Sequence, residues 1–429
     1  MIDITLAFAL VAGIIFFGFG AEIFFRKTGI PYFLFLIFIG VIIGPVLELV
    51  SRSAFLPLLG VFSAFTLAMV LFYNGMQMGI GDVISSSSRT LLQVVLYVFV
   101  SIIAIAAVAH VLFGWDIISA LIFGSIIGGE TTAPVMMRIS KTLNQDNKTV
   151  TFLGLESVMN SIFSVIFFSI FLSIYLTGSS SLTSAAGMLA ASISVGVVFG
   201  LGLSILWLFA LNYLRDYRYT YVFTLALLLT TYVIAQASGG SGLMAVLVFG
   251  IMLGNSKSVG AWLKRELKIE QLETQLRSFQ DELAFLLETF FFVFLGLTFL
   301  VQPSEIVANL SAGALFVAVL LVVRYFAVHV STRGSELYKN RRLIILMCAQ
   351  GLTPAILSIV ALADNLPLAD QFVSIVVFVI LITNTITAIG AYYTMKSGKA
   401  SAARQSKAAE QLAAKGETKK QSSGSAVTA

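Results

Sequence analysis

Residues 116–138 read DIISALIFGSIIGGETTAPVMMR, an apolar run in which the pair Gly128-Gly129 precedes Glu130 and Pro134 follows it. The length is that of a membrane-spanning helix, but proline removes a backbone donor and weakens a helix where it sits. The stretch is therefore expected to be a broken transmembrane segment with a carboxylate at the break. The same device recurs at Gln350-Gly351-Leu352-Thr353-Pro354, inside a second apolar run over 342–362. Interrupted segments in corresponding positions of two halves point to the binding site of a secondary transporter.

Outward from these two breaks, the sequence offers thirteen apolar runs: 4–25, 31–50, 55–73, 89–113, 116–138, 149–176, 185–213, 218–237, 241–255, 282–301, 307–332, 342–362 and 370–395. The fold class is thus an all-α membrane protein of about thirteen spans, with spans 5 and 12 broken. If spans 1–6 and 8–13 are two repeats linked by span 7, each break lies in the fifth element of its half. The offset between the halves is odd, so the second copy starts from the opposite side of the membrane, which makes an inverted repeat.

Composition agrees. Of 429 residues, 58% are hydrophobic and 11% charged, with a mean hydropathy of +0.98, so the solvent for most of the chain is lipid. Residues 1–395 form one transmembrane domain, which leaves no room for a soluble catalytic domain; the chain is not expected to be an enzyme. The segment 396–429, with seven Lys and Arg, reads as a disordered basic cytoplasmic tail. The first run lacks a basic leader and is longer than a signal-peptide core, so it reads as a retained helix. A single Cys348 excludes an internal disulfide and a multi-cysteine metal site. The net charge of +5 comes from loops and tail, and no nucleic-acid partner is expected.

Lys and Arg partition between alternate loops. Arg26, Lys27, Arg89, Arg138, Lys141, Lys148, Arg215, Arg218, the run 257–277 and the run 333–342 fall on one side, and only Arg52 on the other. The positive-inside rule makes the first side cytoplasmic. The amino terminus is then outside and the carboxy terminus cytoplasmic, in the cell membrane.

Charges at the centre of a bilayer are costly and mark function by default. Four pass that filter: Glu130, Glu156 in span 6, Glu288 in span 10 and Arg324 in span 11. Glu22, Glu48 and Asp116 lie near span ends, where solvated side chains are ordinary; His110 and His329 read as incidental. In span 6, Glu156, Asn160 and Ser164 are four residues apart, with Ser157 and Ser161 in the adjacent row. That spacing sets oxygen ligands on one helix face, suited to a desolvated alkali cation. Serine and asparagine alone would also serve as glue between helices, but that reading has no need of Glu156. Arg324 either snorkels to the cytoplasmic interface or pairs with a buried Glu. Glu288 either lines a path or pairs with a cation.

Taken together, Glu156-Ser157-Val158-Met159-Asn160, Phe290–Leu297, Val323-Arg324-Tyr325 and Gly351-Leu352-Thr353-Pro354-Ala355 resemble sodium/proton antiporters of the monovalent cation/proton antiporter superfamily. The resemblance covers the spans but not the tail. It implies a homodimer, unwound fifth and twelfth helices that cross, and an ion held near the crossing by the fifth and sixth helices. It implies binding roles for Glu156, Ser157 and Asn160 and an ion pair between Arg324 and Glu156. One departure matters. The electroneutral branch has Asn-Asp where this chain has Asn160-Ser161, and Thr-Asp-Pro where it has Glu130-Thr131-Thr132. A carboxylate is lost from span 6 and one is gained in span 5, so Glu130 is expected to take the carrier role.

The expected function is exchange of a monovalent cation for protons: sodium first, with lithium and potassium as alternatives, and no cofactor. A carboxylate that holds either a proton or a cation couples the two fluxes by competition. With Glu156 neutralised by Arg324, one titratable site remains and the exchange is electroneutral. The expected cation/proton site comprises Glu130, Glu156, Asn160, Ser157, Ser161, Thr131 and Thr132, with sodium at Glu130 and Glu156, and with Glu288 and Thr353 on the path. Competing readings are a gated potassium pathway and a non-transporting sensor. An intramembrane serine protease at Ser241 fails because neither histidine has a route to that hydroxyl.

Overall fold

The computed structural model describes residues 4–28, 31–49, 52–79, 81, 87–131, 147–178, 182–214, 217, 219–265, 270–299 and 303–390. Thr132, Pro134 and the tail over 396–429 lie outside the described residues. Among the described residues every regular element is helical. The helices are α1 (Ile4–Thr28), α2 (Phe33–Val41), α3 (Arg52–Gln77), α4 (Ser87–Phe113), α5 (Ile117–Ile127), α6 (Asn147–Thr177), α7 (Leu182–Leu214) and α8 (Thr220–Ala237). There follow α9 (Gly242–Gly254), α10 (Ser256–Trp262), α11 (Glu270–Thr298), α12 (Pro303–Thr332), α13 (Arg341–Leu346), α14 (Leu352–Ala363) and α15 (Ala369–Gly390).

Each apolar run carries at least one of these elements, and eight helices among the described residues are long and apolar enough to cross a membrane. Of the others, α11 is long but carries charged residues through its first half, and the rest are short. In a bilayer only a helix or closed barrel satisfies its own backbone, so every break must find partners inside the protein. Lipid-facing positions are apolar without restraint: Phe8, Phe16, Phe17 and Phe19 of α1 all stand exposed.

Two boundaries differ from the sequence expectation, and a bend lies where a third run ends. The run 241–255 is the short helix α9, and α9 and α10 bend by 83° at Asn255. The amide of Asn255 holds the bend, its Nδ2 donating to Met78 O and Ile251 O, each at 2.7 Å. The basic run 257–277, expected as a loop, contains α10 and the first turns of α11. The run 31–50 leaves the α-helix at Val41 and continues as a π-turn, Ile42–Val46, around Pro45. Proline cannot donate to the preceding turn, and a wider turn accommodates the missing bond.

Glycines let the spans close. A Cβ at Gly40 of α2 would stand 2.1 Å from Val293 O, and one at Gly296 of α11 would stand 2.2 Å from Ile37 O, so these two helices touch backbone to backbone. This is the small-residue packing expected where lipid supplies no hydrophobic drive. Two aromatic-rich cores result. One joins α5, α12 and α15 through Trp115, Phe123, Phe316 and Phe372. The other joins α3, α7, α8 and α9 through Phe72, Trp207, Leu228 and Phe249.

Candidate ion-binding site

The first break is made by glycine. α5 ends at Ile127; Gly128 turns extended and Gly129 takes φ +79°, a region open to glycine and costly for other residues. A Cβ at Gly129 would also lie 2.7 Å from Val98 Cα of α4. The chain therefore passes Glu130 and Thr131 without helical hydrogen bonds, at a depth where both residues are buried.

The second break runs from Met347 to Gly351, slightly before its expected place at 350–354. Pro354 sits in the first turn of α14, where a missing N–H is harmless. Side chains of α15 satisfy the loosened backbone: Cys348 N and Gln350 N donate to Thr387 Oγ1 and Thr383 Oγ1, each at 3.2 Å, and Asn384 Nδ2 donates to Gln350 O at 2.7 Å. The two breaks meet. Gln350 Nε2 donates to Ile127 O at 2.7 Å, joining residues 223 apart in sequence.

α6 passes beside this junction and presents the oxygen row expected of it. Ser161 Oγ donates to Glu130 Oε1 at 3.0 Å and Asn160 Nδ2 to Thr131 Oγ1 at 3.2 Å. Ser157 Oγ donates to Thr131 O. Thr353, in the first turn of α14, lies near the Glu130 carboxylate. Two acceptors within this group, Glu130 Oε2 and Asn160 Oδ1, are buried without a hydrogen-bond donor. Buried polar atoms in proteins are normally paired, yet this group leaves a carboxylate oxygen and an amide oxygen without a donor.

Glu156 is in a different state. Arg324 Nη1 reaches its Oε1 at 2.9 Å and Nη2 its Oε2 at 3.2 Å, while Gln93 Nε2 adds a third donor at 3.0 Å. Arg324 is fully buried, donates through Nε to Ile344 O at 3.0 Å, and lies over the Tyr97 ring at 4.9 Å from its centroid. The guanidinium does not snorkel. Both oxygens of Glu156 are thus occupied, whereas Glu130 keeps one open.

Glu288 is not drawn into this cluster; it accepts from the Tyr32 hydroxyl, between α11 and the start of α2. Asp116 caps α5, accepting from Ile118 N at 3.1 Å and Ser119 N at 2.9 Å, in keeping with its place at a span end. Among the described residues no three His, Cys, Asp or Glu side chains converge as a metal centre. Sequence reasoning passed over Gln93, Tyr97, Thr383 and Asn384. Their signal was available: amides and hydroxyls inside apolar runs, but uncharged, and so missed by a search for buried charge.

A profile of the family described as "Sodium/hydrogen exchanger, transmembrane" matches residues 8–392. Over 253 residues the chain is 26% identical to the Na(+)/H(+) antiporter NhaH of Halobacillus aidingensis, a stretch covering 58% of this chain and 60% of that relative's length. Among solved structures, the sodium proton antiporter MjNhaP1 of Methanocaldococcus jannaschii at pH 8 superposes with a TM-score of 0.76 at 19% identity, covering 91% of this chain and 98% of that one. An electron-microscopy structure of the same antiporter gives 0.70, also at 19% identity, covering 92% and 98%.

Proposed function

Since the chain belongs to the sodium/hydrogen exchanger family, we propose that it is a secondary antiporter that exchanges sodium for protons across the cell membrane, with Glu130 as the carrier carboxylate. The observation that carries this reading is the contrast between two buried glutamates. Glu156 is neutralised by Arg324, and Glu130 has one oxygen on Ser161 and the other open.

A sodium ion at Glu130 would be met by Glu130 Oε2 and Asn160 Oδ1, with Thr131 and the hydroxyls of Ser157, Ser161 and Thr353 around it. Thr132 follows directly in sequence and completes the expected set. Hard oxygen donors replace the water that an alkali cation sheds on entering a membrane. Glu156 shapes this site through Arg324 and Gln93 rather than by holding the cation. A proton on Glu130 removes the charge that holds sodium, so the carboxylate carries one or the other. One proton moves for one sodium and the cycle is electroneutral. Alternating access follows from moving the group that bears the two breaks against the α3, α7–α9 group. Lithium and potassium are the alternatives. The names of NhaH and MjNhaP1 support sodium, and the family resemblance supports a homodimer. The alternation of basic loops supports an outer amino terminus and a cytoplasmic carboxy terminus.

The test is purified protein in proteoliposomes with an imposed pH gradient, with collapse of the gradient followed on adding sodium, lithium or potassium. Sodium-dependent collapse that is unchanged when the membrane potential is clamped to zero supports electroneutral exchange. Cation flux without proton counterflow would make the protein a gated pathway, and no flux at any pH would make it a sensor.

A further inference from the structure

A cavity of about 610 Å³ lies between the two helix groups, bounded by α3, the second half of α6, α7, the end of α8, the start of α9 and the end of α14. Its wall carries Ser169, Ser173, Tyr232, Gln236, Ser241 and one charge, Asp364. Nothing in the exchange reading assigns these residues. Two helices connect the cavity to Glu130. α14 begins beside the site, with Thr353 near Glu130, and ends 12 residues later next to Asp364, a run of about 18 Å. α6 leads the same way: Ser161 holds Glu130, Ser164 is buried with an unpartnered hydroxyl, and Val165, Ile166 and Ser169 already line the cavity.

The charges in the cavity favour a cation. Asp364 stands at the carboxy-terminal end of α14, where the helix dipole adds partial negative charge. The opposing amino terminus of α9 also faces the cavity, but its first amides are engaged: Gly242 N donates to Gln236 Oε1 at 3.2 Å and Met244 N to Ser241 Oγ at 3.3 Å. The remaining hydroxyls suit a cation that keeps its water. We propose that this cavity is an outer holding site for a hydrated monovalent cation, centred on Asp364, from which ions pass along α6 and α14 to Glu130. The inference rests on the exchange reading for its ion and on the basic-loop alternation for its side.

Asp364→Asn keeps the shape of the side chain and removes its charge. In proteoliposomes at low ionic strength, this variant is expected to raise the KM for sodium applied from the cavity side several-fold, with kcat and the KM from the other side unchanged. High salt is expected to shrink the difference, as a screened field requires. An unchanged KM, or an equal rise from both sides, overturns the proposal. A second measurement needs no transport. In Ser173→Cys protein, whose other cysteine, Cys348, is buried, a cationic impermeant thiol reagent is expected to react several-fold faster than an anionic one of equal size. Asp364→Asn is expected to remove that preference. Equal rates before the change overturn the holding site even if exchange is intact. A wild-type protein without exchange defeats the functional reading while the labelling still decides the cavity.

Discussion

Arg324 and Glu156, 168 residues apart, form a two-point ion pair in which Nη1 meets Oε1 at 2.9 Å and Nη2 meets Oε2 at 3.2 Å, with neither side chain exposed. A guanidinium fork matches a carboxylate in this way and an ammonium does not. The pair therefore ties α12 to α6 and leaves Glu130 as the unpaired carboxylate of the junction.

Arg324→Ala removes one partner and strands a buried charge, at a cost of about 3–5 kcal/mol. The expected outcome is a large fall in the melting temperature of the detergent-solubilised protein and in the yield of folded material. Arg324→Lys retains charge but loses the fork and the bond to Ile344 O, so it should fall between alanine and wild type. Wild-type melting in Arg324→Ala would mean the pair contributes nothing to the fold.

Glu130→Gln keeps size and hydrogen-bonding capacity but cannot carry a proton or attract a cation. This variant should fold as wild type and show no cation/proton exchange from mildly acidic to mildly alkaline pH. Adding Ser161→Asp should restore part of the exchange, because Ser161 Oγ is 3.0 Å from Glu130 Oε1 and the new carboxylate would occupy nearly the same place. Undiminished exchange in Glu130→Gln alone would move the carrier role elsewhere, with Glu156 and Glu288 next to be tested.

Competition at one carboxylate fixes the sign of the pH dependence. Where the site is mostly protonated, each unit fall in pH adds about one factor of ten to the sodium concentration needed for half-maximal exchange, since one proton must leave for each ion bound. As pH rises this dependence should flatten to a constant KM. The measurement is sodium titration of exchange at several pH values, and a KM independent of pH throughout would rule out competition.

Gly129→Ala meets both a left-handed backbone at φ +79° and a contact 2.7 Å from Val98 Cα. Strain of about 1–2 kcal/mol for the backbone alone adds to the clash, so the variant should melt earlier and exchange poorly. Gly20→Ala in α1, where an added Cβ has nothing within 4 Å, is the matched control and should behave as wild type. Equal melting of the two would show that the turn at Gly129 tolerates a side chain.

Hydropathy determined much of this protein without a fold. The cost of burying charge in lipid was enough to single out Glu130, Glu156 and Arg324, and helical spacing set Ser157 and Ser161 in one row. Gly128-Gly129 marked the first break because glycine alone enters a left-handed turn freely. Local sequence could not place the second break at Met347–Gly351, because its backbone is satisfied by Thr383, Asn384 and Thr387, which lie on another helix. Nor could it find the bend at Asn255, which is held by Met78 O across 177 residues. The family resemblance implied that Arg324 silences Glu156, but the residues by themselves left Arg324 between snorkelling and pairing, and tertiary structure decided it. Desolvation makes every buried charge seek a partner, but only the packing of α4, α6 and α12 brings Gln93 and Arg324 to Glu156 and leaves Glu130 with serine.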